Sequence, residues 1–245
     1  MLKPLRRAAR TLLRPDPSLA EAYPDLDADV LAHVAAVTPY TMTSVERMAA
    51  LHAAVRHVSR RGLPGAVVEC GVWRGGSAML AARVLLEEGD ERDLWLYDTF
   101  EGMDEPGDAD VNFRGVAARD KWAPRQSETH NDWCYASLTE VSANLAETGY
   151  PEARLRFVRG RVEDTIPREL PDRIALLRLD TDFYASTRHE LEHLYPRLVS
   201  GGVLILDDYG WWRGAREATD EYFATLDAPP LLTRLDNTGR LAVKP

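Results

Sequence analysis

The alternation of short apolar runs with amphipathic segments after residue 65 constrains the fold most strongly. The apolar runs lack the regular polar positions of a half-buried strand, so they fit strands that are buried on both faces. The segments between them carry apolar residues three and four positions apart, which is the spacing of helices. The predicted strands are AVVEC (66–70), LWLYD (94–98), LRFVRG (155–160), IALLRLD (174–180) and GGVLILDD (201–208).

Strands that alternate with helices predict an α/β protein with a doubly wound, mostly parallel sheet. Two further apolar runs, at 231–235 and 240–244, flank DNTG and predict a terminal hairpin that adds an antiparallel edge. In such sheets, ligands bind beyond the carboxyl ends of the strands. We therefore expect the strand-ending acids Asp98, Asp180 and Asp207 to lie along one edge of the sheet.

Length and composition are those of one soluble domain. The chain has 245 residues, of which 45% are hydrophobic and 28% charged, and its formal net charge is −9. This acidity argues against broad nucleic-acid binding, which favours basic surfaces. Residues 1–15 are basic but lack a signal peptide's apolar core and cleavage site, so we expect a surface helix there. No stretch approaches the ~20 apolar residues that span a bilayer, and we predict a cytoplasmic protein without a membrane partner.

Two regions stand apart from the strand and helix pattern. Residues 1–40 contain five prolines and short helical patches, and we expect an N-terminal extension of lid helices that packs on a main domain at 41–245. Residues 101–135 are rich in Gly, Asp, Pro and aromatic side chains, and a loop of this length is often a functional lid. The two cysteines form no disulfide framework, and the six histidines form no HxH or HExxH metal motif.

A glycine-bearing turn follows the first predicted strand. In VVECGVWRGGSAML, three glycines precede a helix that opens near Ser77. Glycine lets the backbone approach a ligand closely. Because the spacing is not GxGxxG, the turn either holds a nucleotide-like cofactor or is only structural.

Polar residues also follow the second and third predicted strands. Asp98 ends the second strand, where an acid can accept hydrogen bonds from a ribose diol, although it could also cap a helix or a turn. Glu163 and the backbone of Val162 follow the third strand. They are candidates for the edge of an adenine ring, or they belong to an exposed loop.

Two predicted strands end in pairs of acids. Asp180 and Asp182 follow one strand, and Asp207 and Asp208 end another. Converging carboxylates repel one another unless a cation joins them, and oxygen ligands favour Mg²⁺ or Ca²⁺ over zinc. We predict a metal site of Asp180, Asp207 and Asp208. The alternative is that the acids cap helices, as Asp182 could do for the helix at 187–199.

Several longer motifs resemble the macrocin O-methyltransferase family. They are YTMTSVERM, VVECGVWRGGS, LYDTFEGM, DWCYASLTEVSANLAETGYP, VEDTIP, LLRLDTDFYASTRHELEHLYPRL and GGVLILDDYG, in order over residues 38–245. The resemblance implies a class I methyltransferase fold, S-adenosylmethionine and Mg²⁺ as cofactors, and an activity of the EC 2.1.1 type. It also implies that the acceptor is a hydroxyl of a sugar or of a glycosylated natural product, as in antibiotic tailoring.

The resemblance implies roles by position. The implied cofactor site consists of Thr41, Met42, Thr43, Glu69, Gly71, Gly75, Ser77, Asp98, Thr99, Phe100, Gly102, Val162, Glu163 and Asp180. The first three look like a segment that closes over the cofactor, and residues 69–77 look like the methionine and sulfonium end. The implied metal ligands are again Asp180, Asp207 and Asp208. Asp182 looks like the general base, with Asp180 as the alternative.

One residue differs from the family pattern, and other protein classes remain as alternatives. Trp211 stands where many family members have a histidine, which favours a different or more apolar acceptor. LDTDFYAST also resembles the opening of haloacid-type phosphohydrolases, but no lysine lies between the acid pairs. A DxD glycosyltransferase would leave the glycine turn without a role, and a non-catalytic cofactor-binding protein is a further alternative. We expect a homodimer.

If the strand at 174–180 continues through Thr181, the side chains of Asp180 and Asp182 point to the same face. One carboxylate could then hold the ion while the other faces the acceptor oxygen. This geometry is the expectation that the structure tests most directly.

Overall fold

The computed structural model describes residues 18–245. The basic segment at 1–15 lies outside the described residues, so its surface helix stays a prediction. The helices are α1 (Leu19–Ala22), α2 (Ala28–Val37), α3 (Val45–Arg60), α4 (Gly76–Glu88), α5 (Ala118–Trp122), α6 (Leu138–Ala146), α7 (Val162–Thr165), α8 (Tyr184–Leu194) and α9 (Arg213–Phe223). The strands are β1 (Ala66–Cys70), β2 (Leu94–Asp98), β3 (Leu155–Arg159), β4 (Ile174–Leu179), β5 (Leu198–Leu206), β6 (Thr233–Arg234) and β7 (Arg240–Val243).

The strands form one sheet in the order β3-β2-β1-β4-β5-β7-β6. The first five are parallel, and β7 pairs antiparallel with both β5 and β6. The predicted doubly wound fold with an antiparallel terminal hairpin is therefore confirmed. The strand order reverses between β1 and β4, and their carboxyl ends meet in register at Cys70 and Leu179. This reversal is the place where such sheets form a ligand crevice.

Both faces of the sheet are covered by helices. Val67 belongs to the core beneath α2, α3, α4 and α6, whereas its neighbour Val68 belongs to the core beneath α8 and α9. Successive side chains of a strand point to opposite faces, so a strand covered on both sides has no polar face. This double burial explains the unbroken apolar runs of the sequence.

The N-terminal region contributes to the main core. Val30, Val34 and Val37 lie on one face of α2 and are buried with the residues of α3 and α4. The domain boundary at residue 40 stays a prediction. Among residues 18–245, no helix combines the length and the apolar character that crossing a membrane requires.

The long insertion at 101–135 is docked on the rest of the domain. The backbone N–H of Phe113 donates to Trp211 O at 2.9 Å, and the N–H of Arg213 donates to Val111 O at 2.9 Å. The Asp110 carboxylate accepts from Tyr184 N at 2.8 Å and so supplies a partner to the first turn of α8. The insertion thus holds the two loops that follow β4 and β5.

Candidate active site

A cavity of about 800 Å³ opens beyond the carboxyl ends of the strands. It brings together most of the residues that the sequence suggested. They are Thr41, Met42, Thr43, Glu69, Gly71, Ser77, Asp98, Thr99, Gly102, Val162, Glu163, Asp180, Asp182, Asp207 and Asp208. We call the part that follows β1, β2 and β3 the cofactor edge, and the part that follows β4 and β5 the acidic edge.

Two residues of the expected cofactor site do not line the cavity. Gly75 precedes α4 with a φ of 90°, and a Cβ on it would lie 2.8 Å from Leu145 Cδ2. It therefore packs against α6, while Gly76 lines the cavity. Phe100 is buried and meets Phe157 edge to face, with 6.3 Å between the ring centroids. Both residues support the loops of the cofactor edge through contacts on the side away from the cavity.

Asp98 organises the cofactor edge. One carboxylate oxygen accepts from Val72 N at 2.7 Å and Trp73 N at 3.1 Å, and the other accepts from Phe100 N at 2.7 Å. Burial raises the pKa of Asp98, and these backbone amides oppose the rise. The carboxylate thus ties the turn after β1 to the turn after β2. The Thr99 hydroxyl also lies 3.4 Å from Oδ1, but it donates to Gly102 O at 2.8 Å, so one of the about four acceptor positions of the carboxylate remains for a ligand.

Two other carboxylates of the cofactor edge have free oxygens. Glu69 Oε1 accepts from Arg178 Nη1 at 2.5 Å, whereas its Oε2 is buried without a hydrogen-bond partner among the described residues. Burial raises the pKa of Glu69 to about 7, and Arg178 opposes the rise. Glu163 Oε2 is likewise buried without a hydrogen-bond partner in the described chain, although it forms a longer ion pair with Arg161 Nε at 3.6 Å. Buried polar atoms of this kind fit a ligand that supplies donors.

Gly71 joins the cofactor edge to the acidic edge. Its φ is 81°, and a Cβ on it would lie 2.1 Å from the backbone oxygen of Asp180. Only glycine fits such a close approach at positive φ without strain. The backbone of Asp180 is fixed from the same side, because Asp180 N donates to Cys70 O at 2.8 Å.

The acidic edge contains a cluster of three carboxylates. Asp180, Asp182 and Asp208 each offer an oxygen, and these oxygens all lie within 4.8 Å of one another. The expectation that β4 continues through Thr181 is wrong, since the strand ends at Leu179. A left-handed turn, with a φ of 70° at Asp182, precedes α8 instead.

Asp182 does not cap the helix that follows it. The N-cap position of α8 is Phe183, and no side chain of that residue or of Asp182 is bonded to the first turn. The Asp110 carboxylate bonds Tyr184 N instead. The alternative prediction, that Asp182 caps this helix, is therefore wrong.

Burial and mutual repulsion shape the electrostatics of the cluster. Burial, opposed by Asp208 and supported by the charge of Asp180, raises the pKa of Asp182 to about 7. Burial likewise raises the pKa values of Asp180 and Asp208 well above their usual range. Asp208 Oδ2 is buried with no hydrogen-bond partner among residues 18–245. A divalent cation among these oxygens would remove the repulsion, and Mg²⁺ prefers carboxylate ligands.

Asp207 lies in a different environment from its neighbour Asp208. It is buried, and Arg178 Nη2 donates to its Oδ1 at 2.8 Å while Arg47 donates to its Oδ2. Both oxygens are thus paired with guanidinium groups. Asp207 was expected to be a metal ligand, but the structure gives it ion pairs and puts Asp182 in the carboxylate cluster.

Arg178 is not among the predicted site residues, yet it lines the cavity floor. Its side chain is 3% exposed and contacts Asp180 at 2.7 Å as well as Glu69 and Asp207. It also donates to Thr43 Oγ1 at 3.0 Å, so the N-terminal segment is bound to the floor. An arginine inside the apolar run IALLRL was the available signal, because a buried charge needs paired acids.

Aromatic residues surround the mouth of the cavity next to the acidic edge. Trp211 and Phe113 are exposed and meet edge to face, with 5.0 Å between centroids. Tyr135 is exposed and stacks on His130 at 4.2 Å. Lys121 Nζ lies 4.0 Å from the ring centroid of Trp133. An acceptor that enters here therefore meets an apolar rim above an acidic floor.

Comparisons with known proteins agree on one family. The family model described as Macrocin-O-methyltransferase (TylF) matches residues 21–242. The 8-demethyl-8-(2,3-dimethoxy-alpha-L-rhamnosyl)-tetracenomycin-C 4'-O-methyltransferase of Streptomyces olivaceus is 36% identical over 217 residues, which cover 88% of this chain and 80% of the relative. The demethyldecarbamoylnovobiocin O-methyltransferase of Streptomyces niveus is 35% identical over 202 residues, or 82% of this chain and 74% of the relative. The solved structure of the O-methyltransferase NovP has a TM-score of 0.73 and 31% identity, with 84% of this chain and 82% of NovP covered.

Proposed function

The chain belongs to the macrocin O-methyltransferase family, and we propose that it moves a methyl group from S-adenosylmethionine to a sugar hydroxyl of a glycosylated metabolite with Mg²⁺ as cofactor. Family membership confirms the predicted class of O-methyltransferase. It also favours this class over a phosphohydrolase, a glycosyltransferase or a non-catalytic binding protein. A sugar acceptor is supported by the rhamnosyl substrate in the name of the Streptomyces olivaceus relative.

One observation carries the cofactor proposal. Glu69, Asp98 and Glu163 lie at the carboxyl ends of three neighbouring strands along one edge of the cavity, and Glu69 and Glu163 each have a buried oxygen without a hydrogen-bond partner in the described chain. S-adenosylmethionine presents donors in the same sequence, namely the methionine ammonium group, the ribose hydroxyls and the adenine amino group. We assign Glu69 to the ammonium end, Asp98 to the ribose and Glu163 to the adenine.

The glycines and the N-terminal segment complete the proposed cofactor site. Gly71 and Gly76 line the cavity between Glu69 and Asp98, and their lack of a side chain lets neighbouring backbone approach this turn closely. A Cβ on Gly76 would lie 2.6 Å from Tyr40 O, so the segment at 41–43 lies directly against this turn. Met42 is exposed at the cavity and is the residue that we expect to cover the bound cofactor.

The acidic edge fits a magnesium ion. We propose Asp180 and Asp208 as the carboxylates that hold it, and the unpartnered Asp208 Oδ2 supports this pair. When bound, Mg²⁺ would supply Lewis-acid polarisation of the acceptor hydroxyl. Asp207 acts indirectly in this proposal, because it fixes Arg178, which in turn holds Asp180.

We propose Asp182 as the base of the transfer. In this reaction the acceptor oxygen forms a bond to the methyl carbon, the bond from carbon to sulfur breaks, and the hydroxyl proton passes to a carboxylate. Arg178 stabilises the charged form of Asp180, whereas Asp182 has no guanidinium partner in the described chain. Asp182 is the third carboxylate of the cluster, and a carboxylate beside the polarised hydroxyl can take its proton.

Radiolabelled S-adenosylmethionine and a panel of glycosylated metabolites test the proposed activity. We expect label on a sugar hydroxyl, loss of turnover with EDTA and recovery with Mg²⁺. Binding of S-adenosylhomocysteine, measured by calorimetry, should survive the EDTA treatment because the cofactor edge is separate from the carboxylate cluster. Full turnover by metal-free protein would refute the metal site but leave the methyltransferase assignment intact.

We also propose a homodimer in the cytoplasm. Size-exclusion chromatography with light scattering measures the mass directly and would contradict the dimer if it gave the 27.5 kDa of one chain.

A further inference from the structure

A second group of potential metal ligands lies away from the active-site cavity. His33 on α2, His52 on α3 and Glu87 on α4 each offer a ligand atom, and these atoms all lie within 4.8 Å of one another. His33 Nε2 is 3.1 Å from Glu87 Oε1, and the two imidazole rings are 5.4 Å apart. The three residues do not line the cavity described above. They join α2, α3 and α4, which are successive α-helices of the chain.

Both histidines have buried nitrogens without a partner. His52 is 1% exposed, and its Nε2 has no hydrogen-bond partner within residues 18–245. The same is true of Nδ1 of His33. Leaving a buried donor or acceptor unpaired costs its full desolvation free energy, so folded proteins rarely keep two side by side. The arrangement therefore indicates that something besides protein completes the site.

The charges of Asp29 and Glu87 favour a cation beside His52, and the charge of Arg56 opposes one. Burial first, and then the charge of Arg56, lowers the pKa of His52, so its imidazole is neutral near pH 7 and available as a ligand. Arg56 binds Asp29 at 2.6 Å and Glu88 at 3.1 Å, and lies 3.9 Å from Glu87. Arg56 is thus paired mainly with Asp29 and Glu88, which leaves the Glu87 carboxylate available to another partner.

We propose that His33, His52 and Glu87 bind a zinc ion, with water as the fourth ligand. Two imidazoles and a carboxylate are a known zinc ligand set, whereas Mg²⁺ and Ca²⁺ prefer oxygen. Tetrahedral ligands about 2.0–2.1 Å from the ion are about 3.4 Å apart. The pair of His33 and Glu87 is already close to that separation. Glu87 is 44% exposed on its side chain, so it is free to adjust as the ion binds.

The ion would fix the helix that leads into the cavity. α2 is followed directly by the turn at Thr38–Tyr40 and then by Thr41 and Met42, which line the cofactor edge. A zinc ion that joins α2 to α3 and α4 would hold the start of this segment in place. Its binding free energy would appear as stability of the folded chain.

Thermal unfolding of the full chain, stripped with chelator and then titrated with Zn²⁺, tests the site. We expect Tm to rise by about 5–10 °C at a Zn²⁺ concentration 100-fold above Kd. Glu87→Gln changes only an exposed side chain, so that variant should fold and lose most of the rise. His52→Ala should lose it as well. Co²⁺ absorption should show one tetrahedral site in the unaltered chain.

Two matched variants exclude other zinc sites. His193→Ala removes one member of the neighbouring His189 and His193 pair on α8, whose rings are 4.4 Å apart. Asp208→Asn alters the carboxylate cluster of the acidic edge. Both variants should keep the Zn²⁺-induced rise in Tm. The proposal is overturned if the unaltered chain shows no rise, if Glu87→Gln keeps all of it, or if either matched variant abolishes it.

Discussion

Asp98 at the cofactor edge is surrounded by donors, whereas Asp182 and Asp208 at the acidic edge chiefly face other carboxylates. Three backbone amides bond Asp98 within 3.1 Å. At the acidic edge Arg178 contacts Asp180, but Asp208 Oδ2 has no hydrogen-bond partner in the described chain. Asp98 is thus satisfied largely by the protein and needs only one added donor. The acidic edge needs positive charge from outside the chain.

The same contrast separates two adjacent residues. Asp207 and Asp208 follow β5 directly, yet Asp207 is paired with Arg47 and Arg178 while Asp208 belongs to the open cluster. The two have the same residue type and occupy successive positions after the strand. The partners that converge on each carboxylate decide which one can bind an ion.

Replacement of the proposed base should have the largest effect. Asp182→Asn keeps the shape of the side chain but removes the basic oxygen, and loss of a general base costs about 10²- to 10⁴-fold in kcat. Tm should stay constant or rise, because one member of a repelling cluster loses its charge. Steady-state kinetics and calorimetry on the same preparation measure both quantities. A near-normal kcat would move the base to Asp180.

Replacement of Asp207 should chiefly change stability. Asp207→Asn removes the charge that two buried guanidinium groups share, and breaking a buried pair costs about 3 kcal/mol. The free energy of unfolding from urea titration should fall by that amount, while the concentration of Mg²⁺ that gives half-maximal activity changes little. A large rise in that concentration with unchanged stability would make Asp207 a metal ligand after all.

Asp98→Ala should weaken the cofactor edge. Hydrogen bonds to a charged group contribute about 1.5–3 kcal/mol. We therefore expect Kd for S-adenosylhomocysteine to increase by about 10- to 100-fold, together with some loss of stability as the two turns separate. Calorimetry measures the affinity, and circular dichroism verifies the fold. Unchanged affinity in a folded variant would remove Asp98 from the proposed ribose site.

Glu69 predicts an effect on stability that depends on pH. Its pKa is about 7 in the folded protein, above the ordinary value of 4.5, so the folded chain retains a proton that the unfolded chain has released. Stability should therefore fall as pH rises from about 4.5 to 7, by at most about 1.4 kcal/mol per pH unit. Glu69→Gln should lack this part of the dependence.

Urea titrations at pH 5, 6 and 7.5 on cofactor-free protein compare the two chains. Parallel stability curves for the wild type and the variant would mean that Glu69 is already ionised at pH 5.

The fold could be predicted from the sequence because strands that are buried on both faces appear as uninterrupted apolar runs. All five parallel strands were found, and so was the hairpin formed by β6 and β7. The membership of the carboxylate cluster could not be predicted in the same way. The turn at Asp182 breaks the strand alternation, and Arg47, which pairs Asp207, lies 160 positions away in the chain. Such a partner leaves no periodic signal.

Arg178 is an intermediate case. A single arginine inside an apolar strand indicates that acidic side chains surround it, because a buried charge needs a partner. Several acidic residues lie at the ends of the neighbouring strands. The sequence therefore contained the evidence for a buried ion-pair network. The sequence did not show that Asp207, rather than Asp208, belongs to this ion-pair network.

The docking of the insertion also limits how this scaffold can diversify. Asp110 binds the first turn of α8, and residues 111–113 share backbone hydrogen bonds with residues 211–213. Transplanting the insertion alone from a relative would deprive both loops of their partners. New acceptor preferences would therefore evolve either through single exposed side chains such as Phe113 and Trp211, or through recombination that exchanges both loops as one module.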